Sequence, residues 1–189
     1  MPLWIQNEPE NHCSRAEINV ARVLKRLPQD WIVRWGFFYH DESKTRREGD
    51  FLILIPSAGL LVLEVKGGYP RHFGPTGSWA GADDANPLRQ LDNEHGAILR
   101  EAKKSALGQI HIAKALCYPD EQLTPDQAET CHGLNWDSVI SGGELSSWEN
   151  FRAALMRVFA PGIERMGGLK PVTPEVREDF LRSFGQAST

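Results

Sequence analysis

Cysteine is scarce in this chain. Cys13, Cys117 and Cys131 are the three among 189 residues, too few and too scattered for a disulfide framework, which suits a reducing compartment. The neighbours His12-Cys13 and Cys131-His132 raise the question of zinc, but neither has the CxxC or HxxxH spacing that brings two ligands to one ion. Structural thiols and satisfied histidines are the reading taken here. Long apolar runs are missing too: no segment approaches a membrane span. The N-terminus shows no basic stretch followed by an apolar run, so no signal peptide is read there. The expectation is a cytoplasmic protein with no membrane partner. Positive charge is also in deficit, with a formal net charge of −4. That excludes nucleic-acid binding by a bulk positive field and leaves local basic patches to do it. It does not exclude metal-dependent phosphate chemistry, because a metal site gathers carboxylates and lowers the total.

What the chain does have is an ordinary globular balance, 41% hydrophobic and 24% charged, and a length that suits one domain with a real core plus a small appendage. Ser14-Arg15-Ala16-Glu17 opens a helix with the capping-box pattern, and Val20, Val23, Leu24 and Leu27 form its apolar stripe ahead of Pro28. Trp31 to Phe38 is aromatic and β-branched and reads as a strand. Phe51-Leu52-Ile53-Leu54-Ile55 and Leu60-Leu61-Val62-Leu63 are apolar on both faces, so their strands are central and covered twice. The short turn Pro56-Ser57-Ala58-Gly59 makes them an antiparallel hairpin. Gly67 to Ala85 reads as a loop or loose hairpin around Trp79. Asn86-Pro87 caps a helix running to about Ser105, with Leu88, Leu91, Ile98 and Ala102 inward. Ile110–Leu116 and Trp136–Ile140 are short strands. Trp148–Phe159 and Pro174–Phe184 are helices, the second capped by Thr173. Pro161 to Pro171, with three glycines, reads as a hinge, and Gly185 to Thr189 as a disordered tail.

The acid-x-Lys triplet occurs three times, as Glu42-Ser43-Lys44, Glu64-Val65-Lys66 and Glu101-Ala102-Lys103. With this composition about one such triplet arises by chance, so context must separate them. The first lies in a polar loop and the third on a helix with solvated charges. Only Glu64 and Lys66 extend an apolar strand, where alternation puts both on one face and Val65 on the other. Charges at the end of a buried strand are costly unless they meet a metal or each other. With the turn near Ala58, Asp50 falls across from Glu64 or Lys66 and shares their face. Two carboxylates and a main-chain carbonyl suit a hard cation such as Mg²⁺, with positions left for water and phosphate. Lys66 would place that water or hold charge as the phosphorane forms. The competing reading is a hairpin end with a cross-strand salt bridge.

Glu17 fits two uses equally: an inward carboxylate shaping the metal site, or the capping box itself. Arg46 and Arg47 precede Asp50 in what reads as a loop, and Arg71-His72 follow Lys66. Both clusters are candidates for phosphate contact or for ordinary solvated loops. Trp31, Trp35 and Phe37 are stacking platforms or, more commonly for strand aromatics, core.

Several of these stretches resemble the nuclease-related domain (NERD) family, grouped with the PD-(D/E)XK nucleases. Glu17 on a first helix, Gly49-Asp50, Pro56-Ser57-Ala58-Gly59 and Leu61-Val62-Leu63-Glu64-Val65-Lys66-Gly67-Gly68 carry the likeness. It continues through Gly77-Ser78-Trp79, Asn86-Pro87-Leu88-Arg89-Gln90 and Cys117-Tyr118-Pro119, covering roughly residues 14–140. The resemblance implies an α/β, restriction-endonuclease-like fold: a mixed central sheet flanked by helices, αβββαβ in order, with extra C-terminal helices. It implies metal ligation by Asp50, Glu64 and the Val65 carbonyl, with Lys66 catalytic. Glu17 becomes the helical acid and Gln90 a helical glutamine near the site; from spacing alone Gln90 is only an amide on a helix flank. The implied activity is DNA phosphodiester cleavage with Mg²⁺, or Mn²⁺ in its place, in DNA processing or defence, with a helicase as a partner. Residues 1–145 would form the nuclease-like domain and 146–189 a helical extension serving as linker or docking piece. A non-catalytic nucleic-acid-binding or helicase-docking module is the alternative.

Overall fold

Strands that are apolar on both faces need a cover on each side, and this requirement organises the whole chain. A computed structural model describes residues 1–6, 14–41, 43–68, 72–73, 78–79, 87–131 and 133–185. In chain order the elements are β1 (Leu3–Gln6), α1 (Arg15–Leu24), β2 (Ile32–His40), β3 (Arg46–Ile55), β4 (Gly59–Val65), β5 (His72–Phe73), β6 (Ser78–Trp79), α2 (Pro87–Ala102), β7 (Ile112–Tyr118), β8 (Val139–Ser141), α3 (Trp148–Arg165) and α4 (Pro174–Phe184). Among the described residues six strands form one sheet in the order β1-β2-β3-β4-β7-β8, and β5 and β6 form a separate two-stranded ribbon. The β2–β3–β4 pairings are antiparallel, while β1 joins β2, and β7 and β8 join β4, in parallel.

All seven residues of β4 are buried. Phe51, Ile53, Leu61, Leu63 and Val65 face one core, with Val20 and Leu24 of α1 and Phe151 and Phe159 of α3. Leu52, Leu54, Leu60 and Val62 face the other, with Leu91 and Ile98 of α2 and Val176 and Phe180 of α4. The αβββαβ order is present as α1-β2-β3-β4-α2-β7, and α3 and α4 supply the second helix of each layer. Trp31, Trp35 and Phe37 are core residues. No described helix is long and apolar enough to cross a membrane.

Several local expectations need correction. Arg46 and Arg47 are not in a loop but begin β3, paired with His40 and Tyr39 across the β2 ladder. Arg46 gains a partner there, its guanidinium 3.9 Å from the Phe38 ring centroid. Residues 136–138 form a 3₁₀ turn under an Asn135 cap, and the last strand begins only at Val139. The α3 helix does not stop before Pro161 but runs through it to Arg165. A proline costs that turn one hydrogen bond, yet the helix stays packed because Phe159 meets His111, with ring centroids 5.7 Å apart. Its end is set by Gly167 and Gly168, at φ of +72° and +129°, where the Gly168 amide returns to the Ile163 carbonyl at 2.9 Å in a glycine-terminated cap. The helix thus extends into the segment read as a hinge. Asn86 and the tail beyond Gly185 lie outside the described residues.

Candidate active site

The β3–β4 ladder runs from Ile55 opposite Gly59 to Phe51 opposite Leu63. One step further sets Asp50 across from Glu64, but there the main-chain pairing gives way to a side chain: Asp50 Oδ2 accepts the Val65 amide at 2.6 Å. The two strands part at the end of the hairpin, and the gap is bridged by a carboxylate. Amide and carbonyl of one strand residue point toward the same neighbour, so the Val65 carbonyl is directed to the β3 side, where Asp50 lies. On its other side the strand stays fixed, with the Lys66 amide donating to the Cys117 carbonyl of β7 at 2.8 Å.

Glu64 is 2% exposed. Its Oε1 accepts from Lys66 Nζ at 2.5 Å, while Oε2 is buried without a hydrogen-bond partner. The Lys66 ammonium also donates to Gln90 Oε1 at 2.8 Å. Gln90 in turn donates through Nε2 to Glu94 Oε1 at 3.2 Å, one helical turn along α2. Asp50, Glu64, Val65, Lys66 and Gln90 therefore meet at one corner, where the end of β4 lies under the start of α2.

Glu94 was not singled out from the sequence. It is fully buried, and its Oε2 is a second orphaned carboxylate oxygen. A signal was available: Glu94 stands three residues after Leu91 and four before Ile98, in the inward stripe of α2. Asp92, Asn93 and His95 around it disguise that stripe as a polar stretch.

These carboxyls raise one another's affinity for protons. The Glu94 carboxyl is pushed up to about 10, first by burial and then by the charge of Glu64 and contact with it. Asp50 is held well above the ordinary carboxylate range, by burial first and the Glu64 charge second, while the Val65 amide opposes the rise. Such mutual repulsion in a dry corner is the condition a divalent cation relieves. Among the described residues no three His, Cys, Asp or Glu side chains converge on one point. A cation here would need the main chain, and Asp50, Glu64 and the Val65 carbonyl fit that need.

Glu17 fills the capping-box role foreseen for it. Its Oε1 accepts from the Ser14 amide at 2.9 Å and closes the capping box. Its Oε2 accepts from Trp35 Nε1 at 3.4 Å. Trp35 is stacked on Phe51, next in the chain to Asp50, with centroids 5.6 Å apart. The Glu17 charge is felt at Asp50, but in hydrogen bonding Glu17 belongs to the α1 layer. Arg46 and Arg47 are exposed on the same strand as Asp50, and the Arg47 guanidinium is engaged with Asp41 at 3.1 Å. Arg71 lies outside the described residues.

A mixed sheet covered by helices on both faces, with its central hairpin ending in acids and a lysine, is an architecture of the restriction-endonuclease-like class. The model of the nuclease-related domain family matches residues 14–119, more than half of the chain, and the chain belongs to that family. The matched span contains every residue of the corner just described. No curated protein and no solved structure shows a significant match.

Proposed function

We propose that this chain is a divalent-cation-dependent nuclease that cleaves phosphodiester bonds of DNA. The observation that carries the reading is the end of the β3–β4 ladder, where Asp50 accepts the Val65 amide and the neighbouring Glu64 holds Lys66. Asp50, Glu64 and the Val65 carbonyl would hold Mg²⁺, or Mn²⁺ in its place. The ion supplies Lewis acidity toward a phosphate and a more acidic water. Lys66 has donors only; released from Glu64, its ammonium can reach a phosphate oxygen and hold the negative charge that grows there. A salt bridge alone would need neither Asp50 opposite Glu64 nor a buried glutamate oxygen without a partner. The exposed Arg46 and Arg47 lead along β3 to the corner and would meet the DNA backbone. A helicase partner is part of the same proposal, on the strength of the family resemblance.

The test is cleavage of supercoiled, linear and single-stranded DNA with Mg²⁺, Mn²⁺ or EDTA, alongside Lys66→Ala, Asp50→Asn and Glu64→Gln. Cation-dependent cutting by the parent and none by the three variants is the expected result. A variant that cuts at the parental rate removes its residue from the site, and binding without cutting by the parent leaves a docking module in place of an enzyme.

A further inference from the structure

We infer that Glu94 is a positioning residue that orients the Gln90 amide and, through it, Lys66. An amide side chain has two ends of opposite sense, and its neighbours decide which way round it sits. Lys66 Nζ can only donate, so the end of Gln90 that meets it at 2.8 Å must be the carbonyl oxygen. The NH₂ end then faces away and requires an acceptor. Glu94 Oε1 provides one at 3.2 Å, from a side chain that is fully buried. Without Glu94 this half-buried NH₂ would lose its side-chain acceptor, and an unmet donor partly shielded from water is costly. The amide would turn or swing away, and Lys66 would keep Glu64 as its remaining side-chain partner. Residues that orient groups in contact with a reaction or an ion are worth about tenfold to a hundredfold when removed.

This inference rests on the nuclease reading for its consequence but not for its test. In ¹⁵N-glutamine-labelled protein, the Gln90 side-chain amide is the pair of signals missing from Gln90→Leu. Those signals are expected to be shifted from free-amide positions and slow to exchange in the parent. They should keep that signature in Glu94→Gln, whose carbonyl still accepts, and lose it in Glu94→Met, which has the bulk and no acceptor. Cleavage should fall about tenfold or more in Glu94→Met and be largely rescued in Glu94→Gln. Mn²⁺ affinity, read by calorimetry, should stay within about threefold of the parent in Glu94→Gln; a loss of about tenfold would make Glu94 a ligand and overturn the positioning role. That arm decides the matter even if Glu94→Met fails to fold. An unchanged Gln90 signature in Glu94→Met also overturns it. A parent that never cuts, with the amide signature behaving as expected, refutes the nuclease reading and leaves the orientation of Gln90 established.

Discussion

Asp50 accepts the main-chain amide of Val65 at 2.6 Å, so one proposed cation ligand is tied to the residue whose carbonyl is proposed as another. The carboxylate does at the hairpin end what a strand carbonyl does elsewhere along the ladder. Substitutions at Asp50 should therefore separate chemistry from architecture. Asp50→Asn keeps an acceptor for the Val65 amide and should unfold within about 1 kcal/mol of the parent while losing cleavage. Asp50→Ala leaves that amide without its partner and should cost about 1–3 kcal/mol besides. Denaturant titrations compare the two, and equal stability would show that the hydrogen bond contributes nothing.

A cation that binds the folded chain alone must stabilise it. At about a hundred times its dissociation constant, Mg²⁺ should add about 2.7 kcal/mol. The increment should vanish in Glu64→Gln, because the buried Glu64 supplies both a charge and an oxygen that lacks a partner. Thermal unfolding with Mg²⁺ and with EDTA gives the difference directly. An increment that survives in Glu64→Gln would move the ion elsewhere.

The acidity of the corner sets a pH dependence with a definite sign. Glu94 is pushed up to about 10, by burial first and then by Glu64, and Asp50 is raised by burial and Glu64 as well. The folded chain then binds more protons than the unfolded one, whose carboxyls titrate near about 4. The stability these groups contribute is full below that value and is lost as the pH climbs toward their folded values. In EDTA the melting temperature should fall between about pH 5 and about pH 9, and fall less steeply in Glu94→Gln. A melting temperature that rises over this span would contradict the reading.

Gly162 in α3 gives a prediction away from the site. Replacing a glycine inside a helix by alanine ordinarily gains up to about 1 kcal/mol. Here an added Cβ would lie 1.8 Å from the His111 ring, which also packs on Phe159. The clash should win, with Gly162→Ala destabilising by about 1–3 kcal/mol in urea unfolding. A stabilised variant would mean that the ring can turn aside.

The hairpin and its register were legible because four residues separate two runs with no polar face. That leaves little choice of pairing, and a slip of one residue would turn Glu64 away from Asp50. Glu64 and Lys66 stood out for the same reason, as charges on a strand that otherwise has none. Gln90 reached its place only through the resemblance, since nothing in its neighbours marks one helix flank as closer to the sheet. Glu94 was missed because its burial follows from the depth at which α2 sits on β4 and β7, a long-range fact. The four residues of β1 hold too little pattern to announce a parallel pairing with β2. Pro161 read as a stop because local propensity favours one, and the packing of Phe159 and Gly162 on His111 overrode it.

The strand that ends at this corner is buried along its whole length. Segments of that kind exchange their amide hydrogens only when the entire domain opens. Glu64 and Val65 thus share the kinetic lifetime of the fold itself, and local breathing of an edge cannot reshape the space between them. Any local adjustment at this corner falls to the partners on α2 and to Lys66, whose side chain is the more exposed member of its pair at 26% against 2%.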